Sequence, residues 1–227
     1  LGPLNLGLGR FQEISCFHYP TKTLHVTDAI VGIDSTPPEI FNFDPTPLLF
    51  HSRERGDEPL IDSIEQRKKG WKRLVLFSSF LKPGKLNIPP LKEIFQYSFK
   101  KDLRNWRSHF GIYPFLWDKD WESSLVEIMG NDIPKIQIAP VLKKLIFPRS
   151  KEVLIKWLEN IKTFKDMEYL IPAHFTAPIK FTIEDCQKLI NEINSQEWDK
   201  LPDDNKFLTG LYKKLFDLGI IPEEVNF

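Results

Sequence analysis

Cysteine is scarce in this chain. Cys16 and Cys186 are the two among 227 residues, too few for a disulfide framework and too widely spaced for a zinc-ligand pair, which points to a reducing compartment. An excess of one charge is also lacking. The 31 basic and 31 acidic side chains cancel, whereas a nucleic-acid-binding domain concentrates a basic surplus on one face. Long apolar runs are missing too. The longest, residues 74–77 followed by Ser78, Ser79, Phe80 and Leu81, falls far short of the roughly 20 residues a membrane helix requires. There is no Walker loop, Rossmann glycine fingerprint, HExxH or GxSxG motif, and LGLGR near the start is a poor phosphate loop because no helical pattern follows it. No charged-then-apolar leader opens the chain at Leu1, so processing or truncation is expected to have removed the true start. No repeat of 20 to 50 residues recurs, which excludes a solenoid.

What remains is a globular composition, 41% hydrophobic and 27% charged. A chain of this length buries roughly 70% of the surface its unfolded form exposes, so it needs neither disulfides nor a structural metal. Residues 1–10, with three glycines and a proline among leucines, read as an irregular lead-in. Residues 11–19 and 21–31 are rich in aromatic and β-branched side chains and flank Pro20, Thr21 and Lys22, the pattern of an antiparallel hairpin. Five prolines in residues 32–59 exclude a long helix there and imply an extended crossing tied down by Ile40, Phe41, Phe43, Leu48, Leu49 and Phe50.

From Asp62 the period becomes helical, with Asp62 and Glu65 in capping-box spacing and Pro83–Gly84 as the stop. Pro90 can start a second helix bearing Leu91, Ile94, Phe95 and Phe99, and Asp120 can cap a third bearing Trp121, Leu125, Val126 and Met129. Between them FGIYPFLW reads as a buried aromatic loop. Residues 135–139 form a strand candidate. Ser150 precedes an amphipathic helix with Leu154, Trp157, Leu158 and Ile161 on one face. A strand over 167–171 stops at Pro172, Thr182 caps a helix bearing Ile183, Cys186, Leu189, Ile190 and Ile193, and a polar stretch leads to a last helix with Phe207, Leu208, Leu211, Tyr212, Leu215 and Phe216. That helix is expected to pack as a separate element on the body or on a partner.

Five histidines are spread over the chain: His18, His25, His51, His109 and His174. Each alone reads as a hydrogen-bonding structural residue. Arg67, Lys68, Lys69, Lys72 and Arg73 read as a solvated helix face. Trp71, Trp117 and Trp121 read as core, with binding of an aromatic pigment or cofactor as the other reading. One juxtaposition stands out. TLHVTDAIV and YLIPAHFTAPI both place a possible metal ligand, Asp28 and His174, just beyond the carboxyl end of a strand, where open α/β sheets collect functional side chains.

Five ordered blocks carry a family resemblance: FQEISCFHYPTKTLHVTDAIV, PPEIFNFDPTPLLFHSRE, RKKGWKRLVLF, FGIYPFLWDKDW and IPAHFTAPI. Over about residues 11–190 the chain resembles a domain-of-unknown-function family of plastids and photosynthetic bacteria that is related to the metallo-β-lactamase fold. The resemblance implies an α/β architecture, the carboxyl half of a metallo-β-lactamase-like αββα sandwich over residues 11–194, with the first half absent or upstream and a linker and helix added over 195–227. It implies a chloroplast or bacterial-cytoplasm setting. It makes Asp28 the counterpart of a metal-bridging acid and His174 the counterpart of a final histidine ligand, while the HxHxDH loop of the first half is not present.

Two ligands do not complete a catalytic zinc site, which takes three plus a water. The expectation is therefore a degenerate metallo-hydrolase-like domain used for binding or assembly, without a cofactor of its own. Its partner would be another polypeptide, a second copy or a larger assembly, with no nucleic acid and no transmembrane segment. The alternative is a hydrolase using zinc, iron or manganese, with its remaining ligands supplied from upstream or by another chain. Either way, Asp28 and His174 should lie close together in space.

Overall fold

A computed structural model describes residues 4–5, 12–198 and 203–221. In chain order the elements are β1 (Leu4–Asn5), β2 (Gln12–Glu13), β3 (Cys16–His18), β4 (Thr23–His25), β5 (Ile30–Ile33), α1 (Thr46–Ser52), α2 (Ile64–Phe80), β6 (Leu86–Asn87), α3 (Leu91–Ile94), β7 (Leu116–Trp117), β8 (Lys135–Ile138), α4 (Pro140–Leu145), α5 (Lys151–Ile161), β9 (Tyr169–Ile171), β10 (Ile179–Lys180), α6 (Ile183–Asn194) and α7 (Lys206–Asp217). The lead-in reading falls outside the described residues except for β1, which pairs with β2. Residues 199–202 of the polar stretch lie outside them too.

The chain is mixed α/β, as its sequence pattern implies. Its main sheet has the order β10-β9-β4-β3. β3 and β4 form a hairpin around Pro20 as expected, closed by a turn in which Lys22 takes the left-handed conformation, but the second strand breaks after His25 instead of running to residue 31. β4 runs parallel to β9, with Leu24 opposite Leu170, and both side chains are fully buried. β5 pairs with β8 in a separate antiparallel ladder. Leu154, Trp157, Leu158 and Ile161 of α5 and Cys186, Leu189, Ile190 and Ile193 of α6 join Leu24 and Leu170 in one core. Each such burial is worth about 1.5–3 kcal/mol for a Leu- or Ile-sized side chain. The capping box on α6 is present, Thr182 and Asp185 serving each other's backbone.

Several local readings shift. The proline-rich segment contains a seven-residue helix, α1, because Pro47 sits in its first turn, where a missing N–H costs nothing. Ser63, one residue later than expected, caps α2 by accepting the Gln66 N–H at 3.2 Å. α3 ends after Ile94, and residues Trp121–Leu125 form a 3-10 turn where a longer helix was expected. In the FGIYPFLW loop Tyr113 and Trp117 are buried, whereas Phe110 is half exposed. α7 packs against α4 through the fully buried Leu208. The turn before α7 is fastened to the body by Asp204, whose carboxylate accepts the Gly84 N–H at 2.7 Å and the Ser124 hydroxyl at 2.9 Å.

Of the basic cluster on α2, Arg73 is the member that departs from a solvated face. Arg67 is paired with Asp62, Lys69 with Glu54 and Lys72 with Glu122, and Arg73 is 1% exposed. Arg73 donates to the Arg53 carbonyl at 2.9 Å, reaches the His51 and Ser52 carbonyls at 3.4 Å, and grips both carboxylate oxygens of Glu54 at 2.8 and 3.0 Å. The last carbonyls of a helix have no intrahelical partner, so the guanidinium closes the end of α1. The rings of Trp121 and Trp117 lie 4.9 and 5.3 Å from it. α1 and α2 touch backbone to side-chain position: a Cβ built on Gly70 would stand 1.8 Å from the Leu48 carbonyl oxygen.

Two predictions come from this packing. Gly70→Ala should destabilise the protein by more than the ~1–3 kcal/mol of ordinary overpacking, because backbone and not a flexible side chain must give way. Gly210→Ala in α7, where an added Cβ meets nothing within 4 Å, should instead stabilise by about 0.5–1 kcal/mol. Denaturant midpoints that moved the same way for both would contradict the close α1–α2 contact.

The second prediction concerns pH. His51 is 8% exposed, and burial, with help from His109, Arg73 and Arg53, pushes its imidazole down to about 4. The unfolded chain titrates near the free value of ~6.5, so between that pH and about 4 the unfolded state binds the extra proton. This share of stability is intact above that window and is lost as pH falls through it, roughly 2 kcal/mol by pH 5. His51→Phe should flatten the stability profile between pH 7 and 5 by that amount; parallel profiles would mean that folding does not lower the pKa of His51.

Candidate functional site

The parallel pairing of β4 with β9 sends both strands to one rim. Beyond the ladder the two segments stay together: Val26 donates its N–H to the Ile171 carbonyl and Ala173 its N–H to the Thr27 carbonyl, both at 3.1 Å. Residues 28 and 174 therefore emerge side by side. His174 Nε2 lies 2.9 Å from Asp28 Oδ1, so the closeness expected of these two residues is found.

Asp28 is held by a residue that no motif flags. The carboxylate of Glu13, fully buried, accepts the Thr27 N–H at 2.7 Å through Oε1. Through Oε2 it accepts the Thr27 hydroxyl at 2.6 Å, the Asp28 N–H at 3.0 Å and the Ala29 N–H at 3.2 Å. Three successive amides converge on one anion, a backbone nest. Its only trace in the sequence is an acidic residue inside a strand-like run, FQEISCF.

His174 is placed by the turn after it. Phe175 has φ 69°, a left-handed conformation rarely taken by an aromatic residue and one that persists only where the surroundings enforce it. Thr176 supplies that enforcement. Its N–H donates to the Gly32 carbonyl at 3.1 Å and its hydroxyl to Asp34 Oδ2 at 3.2 Å.

Behind the pair opens a cleft of about 610 Å³, within the 300–1,000 Å³ usual for small-molecule sites. β5 contributes Val31, α2 contributes Trp71, Leu74 and Ser78, and α4 contributes Val141 and Leu142; Pro38, Ile40 and Phe41 come from the proline-rich segment. Trp71 is pinned by donating its indole N–H to the Asp34 carbonyl at 3.0 Å. The rings of Phe41 and Phe175 lie 5.9 and 6.1 Å from it, so three aromatics meet at the cleft. Trp71 thus serves core and cleft together. Among the described residues no Lys or Arg lines it.

The donor set does not fit a catalytic zinc, iron or manganese by itself. Asp28 and His174 are bonded to each other, and among the described residues no group of three or more His, Cys, Asp and Glu side chains is placed to hold an ion. The nearby Asp34 is engaged by the Thr36 N–H at 2.7 Å and by Thr176. Of the other histidines, His25 ends β4 opposite Ile171. His18 bonds Thr21, while His51 and His109 line another pocket, of about 310 Å³. Cys186 is buried in the core, which pushes its thiol up to about 12 and leaves it inert at neutral pH. Among the described residues no helix is long and apolar enough to cross a membrane.

Fold and site together define a mixed α/β domain with an acid–histidine pair at the mouth of an apolar cleft. The chain belongs to the family described as "Domain of unknown function (DUF4336)", whose sequence pattern matches residues 1–191. Neither a curated protein nor a solved structure matches it. The matched stretch contains Glu13, Asp28 and His174, ends within α6 and leaves α7 beyond it. It agrees with the resemblance to a domain-of-unknown-function family; a relation to the metallo-β-lactamase fold lies outside what the match shows.

Glu13→Gln puts an NH2 group where a carboxylate oxygen now accepts, so buried donors face a donor. Such unmet groups cost about 1–3 kcal/mol each. The denaturant midpoint should fall accordingly, and the amides of Thr27, Asp28 and Ala29 should lose their protection from hydrogen exchange before the rest of the main sheet does. Unchanged protection at those three amides would show that Glu13 does not organise the rim.

Proposed function

We propose that this chain is a binding domain for an apolar small molecule, held in the cleft with its polar end at Asp28 and His174. The observation that carries the reading is the cleft itself: concave, walled mostly by aromatic and aliphatic side chains, with the side chains of Asp28 and His174 converging at its mouth. That combination is the usual make-up of a small-molecule site. In this reading the chain is a metallo-hydrolase-like domain that retains the position of two rim residues and uses them as hydrogen-bonding groups. Their location beyond the carboxyl ends of parallel strands supports it. The rival reading, a metal-dependent hydrolase, needs at least one further ligand from outside the described residues to reach three.

Titration with N-phenyl-1-naphthylamine, a neutral apolar fluorophore, tests the proposal. Saturable binding of one probe per chain is expected, with quenching of tryptophan emission because Trp71 lines the cleft. Ala173→Trp, at an exposed position on the cleft lining, should weaken binding at least tenfold while leaving the melting temperature nearly unchanged. Burial worth a few methylenes accounts for that factor. Absence of saturable binding, or binding indifferent to Ala173→Trp, would refute the reading. One tightly held zinc, iron or manganese per purified chain, lost in both Asp28→Ala and His174→Ala, would favour the hydrolase instead.

A further inference from the structure

We infer that the molecule taken up is a neutral amphiphile whose head donates a hydrogen bond, an alcohol in preference to the carboxylate or amine of the same chain length. This rests on the cleft being a binding site and deepens that reading.

The chemistry of the mouth sets the preference. His174 Nε2 at 2.9 Å from a carboxylate oxygen carries the ring proton toward Asp28, because a carboxylate can only accept. The second carboxylate oxygen of Asp28 takes no other hydrogen bond among the described residues and is left as an acceptor. The side chain of His174 is 65% exposed and that of Asp28 33%, so an entering head group can reach both. The mouth thus presents a carboxylate acceptor, and the ligand must supply the donor.

Charge then separates the candidate heads. A carboxylate donates nothing and would sit beside Asp28 as a like charge. Among the described residues no lysine or arginine lines the cleft to offset it. An ammonium can donate, but it must compete with His174 for a single carboxylate and shed water against apolar walls, and in such surroundings stripping an ion of water costs more than that attraction returns. A hydroxyl donates to the second oxygen of Asp28, carries no charge and leaves the Asp28–His174 bond intact. The walls supply the remaining affinity through the alkyl or ring body.

The test displaces the naphthylamine probe with three homologous series, n-alkanols, n-alkanoates and n-alkylamines from six to twelve carbons, below their aggregation limits at pH 7.5. Affinity should rise about fourfold per added methylene until the cleft is full. At each length the alcohol should bind at least tenfold more tightly than the carboxylate and the amine. In Asp28→Asn, which removes the like charge, the gap between alcohol and carboxylate should shrink to within about threefold. Equal affinities across the three series, a carboxylate or amine that binds best, or an unchanged gap in Asp28→Asn would each overturn this inference while the binding reading stands. Failure of the wild-type chain to bind the probe at all would overturn the binding reading itself.

Discussion

Everything at the rim depends on one buried carboxylate. Removing Glu13 from water costs several kcal/mol, and the return is four short hydrogen bonds from three consecutive residues. Bonds to a charged acceptor are worth about 1.5–3 kcal/mol each, so the two sides are of similar size and the net stability gained is modest. What the arrangement secures is geometry. Residues 27–29 form the break between β4 and β5, where the chain leaves the main sheet to pair with β8, and without a fixed anion their amides would need water or would lose the bend. Asp28 points toward His174 because its own N–H is tied to Glu13.

The other side of the cleft depends on the fit of two helices. Gly70 lets α2 approach the backbone of α1, and Arg73 one turn later closes the carbonyl end of α1. Both residues lie on the same helix as Trp71 and Leu74, which line the cleft. The indole of Trp71 reaches the Asp34 carbonyl at the end of β5, and Asp34 in turn receives Thr176 from the turn behind His174. A continuous chain of bonded groups therefore links α2, β5 and the His174 turn. A cleft built this way is rigid on two sides, which favours a preformed site over one assembled by its ligand.

Some of this was legible in the residues themselves. The hairpin around Pro20, the amphipathic period of α5, the Thr182 cap of α6 and the strand read over 167–171, observed as Tyr169–Ile171, follow from local rules, since turn chemistry, helical period and caps act over a few residues. The closeness of Asp28 and His174 was also legible, from two strands that each end in a polar residue. Glu13 was not. An acid in a strand-like run carries no sign that three amides elsewhere will surround it. The same holds for Arg73, which reads as one more member of a basic face until α1 is seen to end against it.

The amino-acid sequence by itself determined the α/β class, most of the helices and the two side chains that meet at the rim, because these rest on contacts between near neighbours and on strand ends. Only the tertiary structure decided where the charges go and what surrounds them. The burial of Glu13, the left-handed turn at Phe175, the short 3-10 turn where a helix was expected at Trp121 and the cleft between α2, α4 and β5 all arise from segments distant in the chain. Packing and desolvation act on whatever the fold brings together, and sequence spacing does not record that.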